Sequence, residues 1–345
     1  MLVHRLTGPS DTIIGAPLAG APFADRNFVP ARPVLWPLAG PGRYAAAVAQ
    51  VLRRLHPDRI EVHNRPEIAD RLRSYFPDVK LALFLHNDPQ SMRRAHTAGQ
   101  RKHLLAHMQV ACVSEALRAR FLEGLDTAHP DTAHPGDART GGREQVTVLP
   151  NCIDLERIPP SPPVRDPVIL FAGRMVADKG ADSFVSACAQ VLPSLPGWRA
   201  EMIGADRFSV DSPETAFLAA LRPQAAEAGI RLLGHLPHAA VLQAMARAAI
   251  LVVPSRWQEP FGMIALEALA CGTPLIVAPR PGLLEVVGDA ALVAEPDVAG
   301  SLASALMRLA GDPDLRAHLS RAGRARAAMF DVPAARDRLQ AFRQA

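Results

Sequence analysis

Short aliphatic or β-branched runs alternate along the chain with Ala-, Leu- and Arg-rich stretches of helical length. A parallel strand buried on both faces reads as a continuous apolar run, and its crossover needs a helix, so this alternation is the pattern of βαβ units. In the first half, strands are expected at Thr12–Gly15, Arg59–Val62, Leu81–Leu85, Ala111–Val113 and Val146–Leu149, with helices at Arg43–Leu55, Pro66–Tyr75 and Glu115–Gly124. In the second half, strands are expected at Val168–Phe171, Arg199–Ile203, Ile230–Leu233, Ile250–Val253, Pro274–Val277 and Ala291–Val293. Helices expected between them include Ala181–Leu192, Glu214–Ala228, Ala239–Ala246 and Met263–Cys271.

An α/β class with 345 residues, at about 150 per domain, argues for two domains. The break is expected in Ile158–Pro167, where five of ten residues are proline. The 49% hydrophobic and 21% charged content supplies a core and excludes a disordered chain. No run approaches the ~18 to 20 apolar residues that span a bilayer, and the N-terminus lacks a signal pattern, so a cytoplasmic protein is expected. Cys112, Cys152, Cys188 and Cys271 form no CxxC pair, which leaves buried thiols rather than a zinc or redox motif. Residues 1–165 hold 21 Lys+Arg against 16 Asp+Glu, and the remainder 17 against 18. The positive excess therefore sits in the first half, which alone does not discriminate a nucleic-acid or anionic-membrane surface from a pocket for a phosphorylated ligand; with 5% aromatic residues and no recognition module, no nucleic-acid partner is expected.

Two segments carry chemistry. Glu259-Pro260-Phe261-Gly262-Met263-Ile264-Ala265-Leu266-Glu267-Ala268 reads strand, tight loop, helix, and continues to Gly272-Thr273-Pro274. Its turn presents free N–H groups at a helix N-terminus, and its two carboxylates can accept hydrogen bonds from sugar or ribose hydroxyls. Phe171-Ala172-Gly173-Arg174-Met175-Val176-Ala177-Asp178-Lys179-Gly180 runs from a strand end toward a helix, with two cations suited to a diphosphate. The competing reading of Arg174 and Lys179 is surface ion pairing with Asp178 and Asp182.

Together these segments resemble the EPFGxxxxEAxAxGxP and GRxxxxKG motifs of family 4 retaining glycosyltransferases. The likeness runs from about Glu61 to Met329 and implies a GT-B fold, two Rossmann-like domains with parallel sheets facing a cleft. The expected division is 1–160 for an acceptor-side domain, 161–322 for a nucleotide-sugar-binding domain, and 323–345 for a helix crossing back to the first domain. The resemblance implies that Arg174 and Lys179 bind the donor diphosphate and that Glu259 touches the donor sugar. It further implies that Phe261, Gly262 and Met263 offer backbone amides and that Glu267 holds the ribose. His86, in Leu83-Phe84-Leu85-His86-Asn87-Asp88, matches a first-domain histidine that faces the donor sugar. Ser114 resembles a strand-end serine of the family and reads first as a helix N-cap. Val148–Asp154 is similar to the family's PNG(I/V)D turn, with Cys152 in place of its glycine, which puts a left-handed backbone there in question.

The implied activity is transfer of a hexosyl unit, with retention, from a UDP or GDP sugar to a glycan or lipid-linked acceptor in cell-surface polysaccharide or lipopolysaccharide synthesis. No metal or other cofactor is implied. A catalytically poor sugar-nucleotide-binding scaffold and, more remotely, a nucleotide-sugar epimerase stand as alternatives. Met1–Gly8 reads like the tail of a helix that follows the family's first strand and Gly-rich loop, so the first domain is expected to be truncated. His96, His103 and His107, with Arg93, Arg94, Arg101 and Lys102, are read as a basic helical face. That face is either solvated or turned to a membrane or an anionic acceptor. Asp312 and Asp314 are read as capping residues, and the tandem DTAHP within Asp126–Pro135 as a surface loop. No GxGxxG, Walker loop or GxSxG occurs, which removes the main support for dinucleotide oxidoreductase, P-loop and α/β-hydrolase readings.

Overall fold

A computed structural model describes residues 6–17, 27–32, 40–125, 146–206 and 213–345. The chain forms two compact units, Met1–Asn151 with Ala335–Ala345, and Cys152–Ala334. The tandem DTAHP segment and residues 1–5 lie outside the described residues.

In the first unit, β1 (Thr12–Gly15) and β2 (Asn27–Pro30) form a two-stranded parallel sheet. A second parallel sheet has the order β3 (Arg59–His63), β4 (Lys80–Leu85), β5 (Gln109–Cys112), β6 (Val146–Val148). Among the described residues no ladder joins the two sheets. The helices are α1 (Pro41–Leu55), α2 (Pro66–Tyr75), α3 (Ala98–His107) and α4 (Glu115–Leu122). Proline at the start of α1 and α2 supplies a ready-made helical φ where its missing N–H costs nothing. Ser114 caps α4 by accepting from the Leu117 N–H at 3.1 Å, as its position at a strand end suggests. Alternate residues of β3 are buried, whereas β4 is buried from Leu81 to Leu85, as suits a more central strand.

The basic segment departs from its expected form. α3 begins only after Thr97, whose side chain forms a reciprocal capping box with Gln100, so Arg93, Arg94 and His96 precede the helix. Arg101 is 3% exposed and no part of a surface. Its guanidinium donates to the carbonyls of Phe121, Ala95, His96 and Glu123, because five planar N–H groups can close several loop carbonyls at once. His103 meets Asp70 at 3.0 Å, and its ring lies tilted at 37° against that of His107 with centroids 4.3 Å apart.

The second unit has one six-stranded parallel sheet. Its strands are β7 (Asp166–Ala172), β8 (Arg199–Ile203), β9 (Arg231–Gly234), β10 (Ala248–Val253), β11 (Leu275–Val277) and β12 (Leu292–Val293). Their order is β12-β11-β10-β7-β8-β9. The chain winds one way from β7 to β9 and the other way from β10 to β12, so the topological switch lies between β7 and β10. Helices α5 (Ala181–Val191), α6 (Ala216–Glu227), α7 (His238–Arg247), α8 (Met263–Ala270), α9 (Pro281–Val287), α10 (Ser301–Gly311) and α11 (Pro313–Ala328) follow in this unit. The last helix, α12 (Val332–Gln344), enters the first unit from Ala335 onward. There Leu339 and Phe342 pack with Ala82, Phe84 and Ala111.

Ile169, Phe171, Phe184, Met202 and Ile250 anchor the core of the second unit, each 2% exposed or less. The proline-rich run is bound into this unit through Arg165, which donates to the carbonyls of Met245, Ala246, Cys271 and Gly272. Burial lowers the Arg165 guanidinium to about 10. Asp312 caps α11 by accepting from the Leu315 N–H, a structural use of that aspartate. All four cysteines are free and buried, and Cys152 does not adopt a left-handed backbone. Among the described residues no helix is long and apolar enough to cross a membrane.

Candidate functional site

Open α/β sheets receive ligands outside the carboxyl ends of their strands at the switch point. In the second unit that place is made by the segments leaving β7 and β10. Gly173 and Arg174 follow β7, and the chain then makes a single turn at Ala177–Lys179 before α5. Pro254 to Gly262 follow β10 and enter α8.

The two segments are locked together. The Asp178 carbonyl accepts from the backbone N–H groups of Arg256 and Trp257. Gly180 has φ +68°, and a Cβ there would lie 1.9 Å from the Pro254 carbonyl oxygen, so only glycine permits this approach. Arg256 spans the junction: it donates to the Ala177 carbonyl, to both Asp182 oxygens, to Ser183 and to Asp297. Its hydrogen bonds to Asp182 hold that guanidinium above its ordinary value.

This geometry brings Lys179 and Glu259 into contact, Nζ against Oε1, across 80 residues of sequence. Ser255 Oγ donates to the same carboxylate at 2.9 Å. The ion pairing weighed from sequence is redistributed: Lys179 pairs with Glu259, and Asp182 with Arg256. Lys179 remains 23% exposed at its side chain, and an ammonium has three donors, so further donors remain for an incoming anion. Arg174 is exposed at the end of the β7 segment.

Phe261 is 4% exposed and meets Phe330 edge to face, so its ring belongs to the core and only its backbone can face a ligand. Gly262 has φ +93° and begins α8 without a side-chain cap; Met263 is the first residue of that helix. The first N–H groups of α8 therefore lack intrahelical partners, which is the arrangement that receives an anion or hydroxyl. Glu267, on α8, is 7% exposed and accepts from His238 Nε2 at 2.8 Å.

His86 belongs to the first unit, just past β4. Its Nε2 lies 3.1 Å from His63 Nδ1, and the two rings stack with His63 also over Phe84. Asn64, in a left-handed conformation with φ 60°, accepts from the backbone N–H groups of His86 and Asn87. Burial holds both imidazoles below their usual range, His63 at about 3, and a hydrogen bond to Asn151 partly opposes this for His86. Between neutral rings at this separation one nitrogen donates and the other accepts, so the two tautomers are set together. A cavity of about 40 Å³ adjoins the pair, bordered also by Glu61, Asn151 and Arg343. Arg343 joins Glu61 at 2.8 Å and Asp11 at 3.3 Å, bridging β3 to the β1 region, and its bonds to Glu61 hold it above its ordinary value.

Ser255, Arg256, His238 and His63 were not singled out from sequence. Arg256, His238 and His63 act through partners 23 or more residues away and Ser255 through Glu259 four residues on, and the available signal was only a polar residue at a strand or helix end.

At the switch point of this doubly wound sheet a cation and a carboxylate meet beside the start of α8. The model of the family described as "Glycosyl transferases group 1" matches residues 154–326. The glycogen synthase of Mycobacterium tuberculosis is 32% identical over 191 residues, 54% of this chain and 44% of that protein. A GDP-mannose-dependent monoacylated alpha-(1-6)-phosphatidylinositol monomannoside mannosyltransferase of Corynebacterium glutamicum is 30% identical over 199 residues, 51% of this chain and 50% of that protein. The chain thus spans about half the length of these curated relatives. Among solved structures, sucrose-phosphate synthase from Thermosynechococcus elongatus superposes with a TM-score of 0.74 at 20% identity, covering 96% of this chain and 88% of that one. The fold is of the GT-B kind. The chain belongs to the group 1 glycosyltransferases.

Proposed function

We propose that this chain transfers a hexosyl unit from a UDP or GDP sugar to a hydroxyl of a glycan or lipid-linked acceptor, with retention of configuration. The observation that carries this reading is the convergence of Lys179, Glu259 and the uncapped start of α8 at one switch point, in a chain of this family. Arg174 and Lys179 offset the charge that builds on the departing diphosphate, a role that needs no metal in this scheme. Glu259 accepts from sugar hydroxyls, the amides of Phe261, Gly262 and Met263 donate nearby, and Glu267 accepts from the ribose. The bond from the anomeric carbon to the phosphate oxygen breaks, the acceptor oxygen bonds that carbon on the same face, and its proton passes to the diphosphate. The finer form of the reading is cytoplasmic synthesis of cell-surface polysaccharide or lipopolysaccharide, with the acceptor at the inner membrane face.

The test is turnover of a panel of UDP and GDP sugars by purified protein with acceptor extracts, beside Lys179→Ala and Glu259→Ala. Transfer lost in both variants supports the reading. Binding without transfer or hydrolysis favours a scaffold, and an isomerised free nucleotide sugar favours an epimerase.

A further inference from the structure

Glu267 is an unusual carboxylate for a helix facing a sheet: its neighbours Ala265, Leu266, Ala268 and Leu269 are all fully buried, and its own side chain is 9% exposed. Removing a carboxylate from water is costly unless hydrogen bonds replace the lost hydration. Among the described residues one side chain supplies such a bond. His238 Nε2 stands 2.8 Å from Glu267 Oε1, 29 residues away in sequence. His238 is the first residue of α7, directly after Pro237, and its side chain is 41% exposed. It therefore reaches inward from the rim to a carboxylate that is itself almost enclosed.

That geometry does more than compensate burial. A carboxylate has two oxygens and about four lone-pair directions. Donation by Nε2–H to Oε1 takes one direction and stops the group from rotating about its last torsion, so Oε2 points one way. A vicinal diol donates two O–H groups at a fixed separation and binds best to a carboxylate whose plane is already set, because no rotational freedom is then lost on binding.

We propose that His238 is a positioning residue: it orients Glu267 for the ribose diol of a nucleoside diphosphate and so sets the preference for ribose over sugars lacking those hydroxyls. This rests on the reading of the second unit as the donor site. The sequence motif containing Glu267 does not include His238, whose contact arises because the start of α7 lies beside the middle of α8.

The experiment is calorimetric titration of the full chain with UDP and GDP and with their 2′,3′-dideoxy forms, repeated for His238→Ala and His238→Gln. The wild type is expected to prefer the cognate ribonucleotide on the order of 30-fold, as two hydrogen bonds to a charged acceptor allow. His238→Ala should compress that ratio to about 3-fold or less by weakening the ribo form alone, with the dideoxy affinity within about 2-fold of wild type. His238→Gln, which retains an N–H donor, should recover part of the ratio. A merely structural histidine would weaken both forms together, and that result, or a ratio unchanged in His238→Ala, overturns the assignment. A wild type that binds ribo and dideoxy forms alike overturns it too. Wild-type protein that binds no nucleoside diphosphate overturns the donor-site reading itself and the assignment with it.

Discussion

Replacing Gly180 by alanine tests whether the two switch-point segments form one rigid site. The new Cβ would stand 1.9 Å from the Pro254 carbonyl oxygen, where real contacts stop near 3.0 Å, so the segments must part by about 1 Å. The left-handed backbone, φ +68°, adds roughly 1 to 2 kcal/mol for any residue with a Cβ. Overpacking adds about 1 to 3 kcal/mol. Gly197 supplies the control: its φ is +82°, yet nothing lies within 4 Å of a Cβ built there. Gly197→Ala should therefore carry the backbone cost alone. At about 2 to 4 °C per kcal/mol for a unit of this size, Gly197→Ala lowers the melting temperature by roughly 2 to 8 °C and Gly180→Ala by roughly 4 to 20 °C. The functional readout separates them further. A misplacement of about 1 Å between Lys179 and Glu259 costs on the order of 100-fold in kcat/KM, so Gly180→Ala falls about that far while Gly197→Ala stays within about 3-fold. Thermal melts and initial rates of donor turnover measure both. Equal rates in the two variants would refute the coupling of the segments through Gly180.

Ser255→Ala removes a hydrogen bond to a charged group at Glu259 and should lower kcat/KM by about 10- to 100-fold, with little change in melting temperature; steady-state kinetics decide. Arg101→Met strands several loop carbonyls in the first unit and should cost about 3 kcal/mol, read as a lower urea midpoint, while nucleoside diphosphate affinity stays the same. His63 is held neutral in the fold at about 3 against an ordinary value of 6.5, so the unfolded chain takes up the proton first as pH falls. Its contribution is present in full above pH 6.5 and is lost below it; between pH 7.5 and 5.5 the loss is about 1.4 kcal/mol. Urea melts at the two pH values should show that difference in the wild type and a smaller one in His63→Gln.

The sheet architecture was legible because buried parallel strands write themselves as apolar runs. Ile250–Val253 and Arg199–Ile203 could hardly be read otherwise, and the observed strands cover them. The motif residues were legible through a family resemblance, but their contacts were not. Adjacency in sequence suggested Asp178 and Asp182 as partners of the cations, whereas the switch between β7 and β10 puts Lys179 beside Glu259 instead. Arg101 looked like surface charge because it sits among His and Lys; only the fold shows four loop carbonyls converging on it. His238 showed only as a polar residue at a helix start, since its partner lies on a separate helix. Local pattern encodes elements, and long-range polar pairing is decided by topology.

On the proposed function, the segment leaving β7 holds the diphosphate of a nucleotide sugar. Calorimetry of UDP- and GDP-sugars against the wild type and Lys179→Ala tests it most directly. Saturable binding of at least one such donor is expected, with a loss of at least about 10-fold in Lys179→Ala, as for a charge-assisted phosphate contact. Donor affinity that is undiminished when Lys179 is replaced, or the absence of binding by any sugar nucleotide to the wild type, would contradict it.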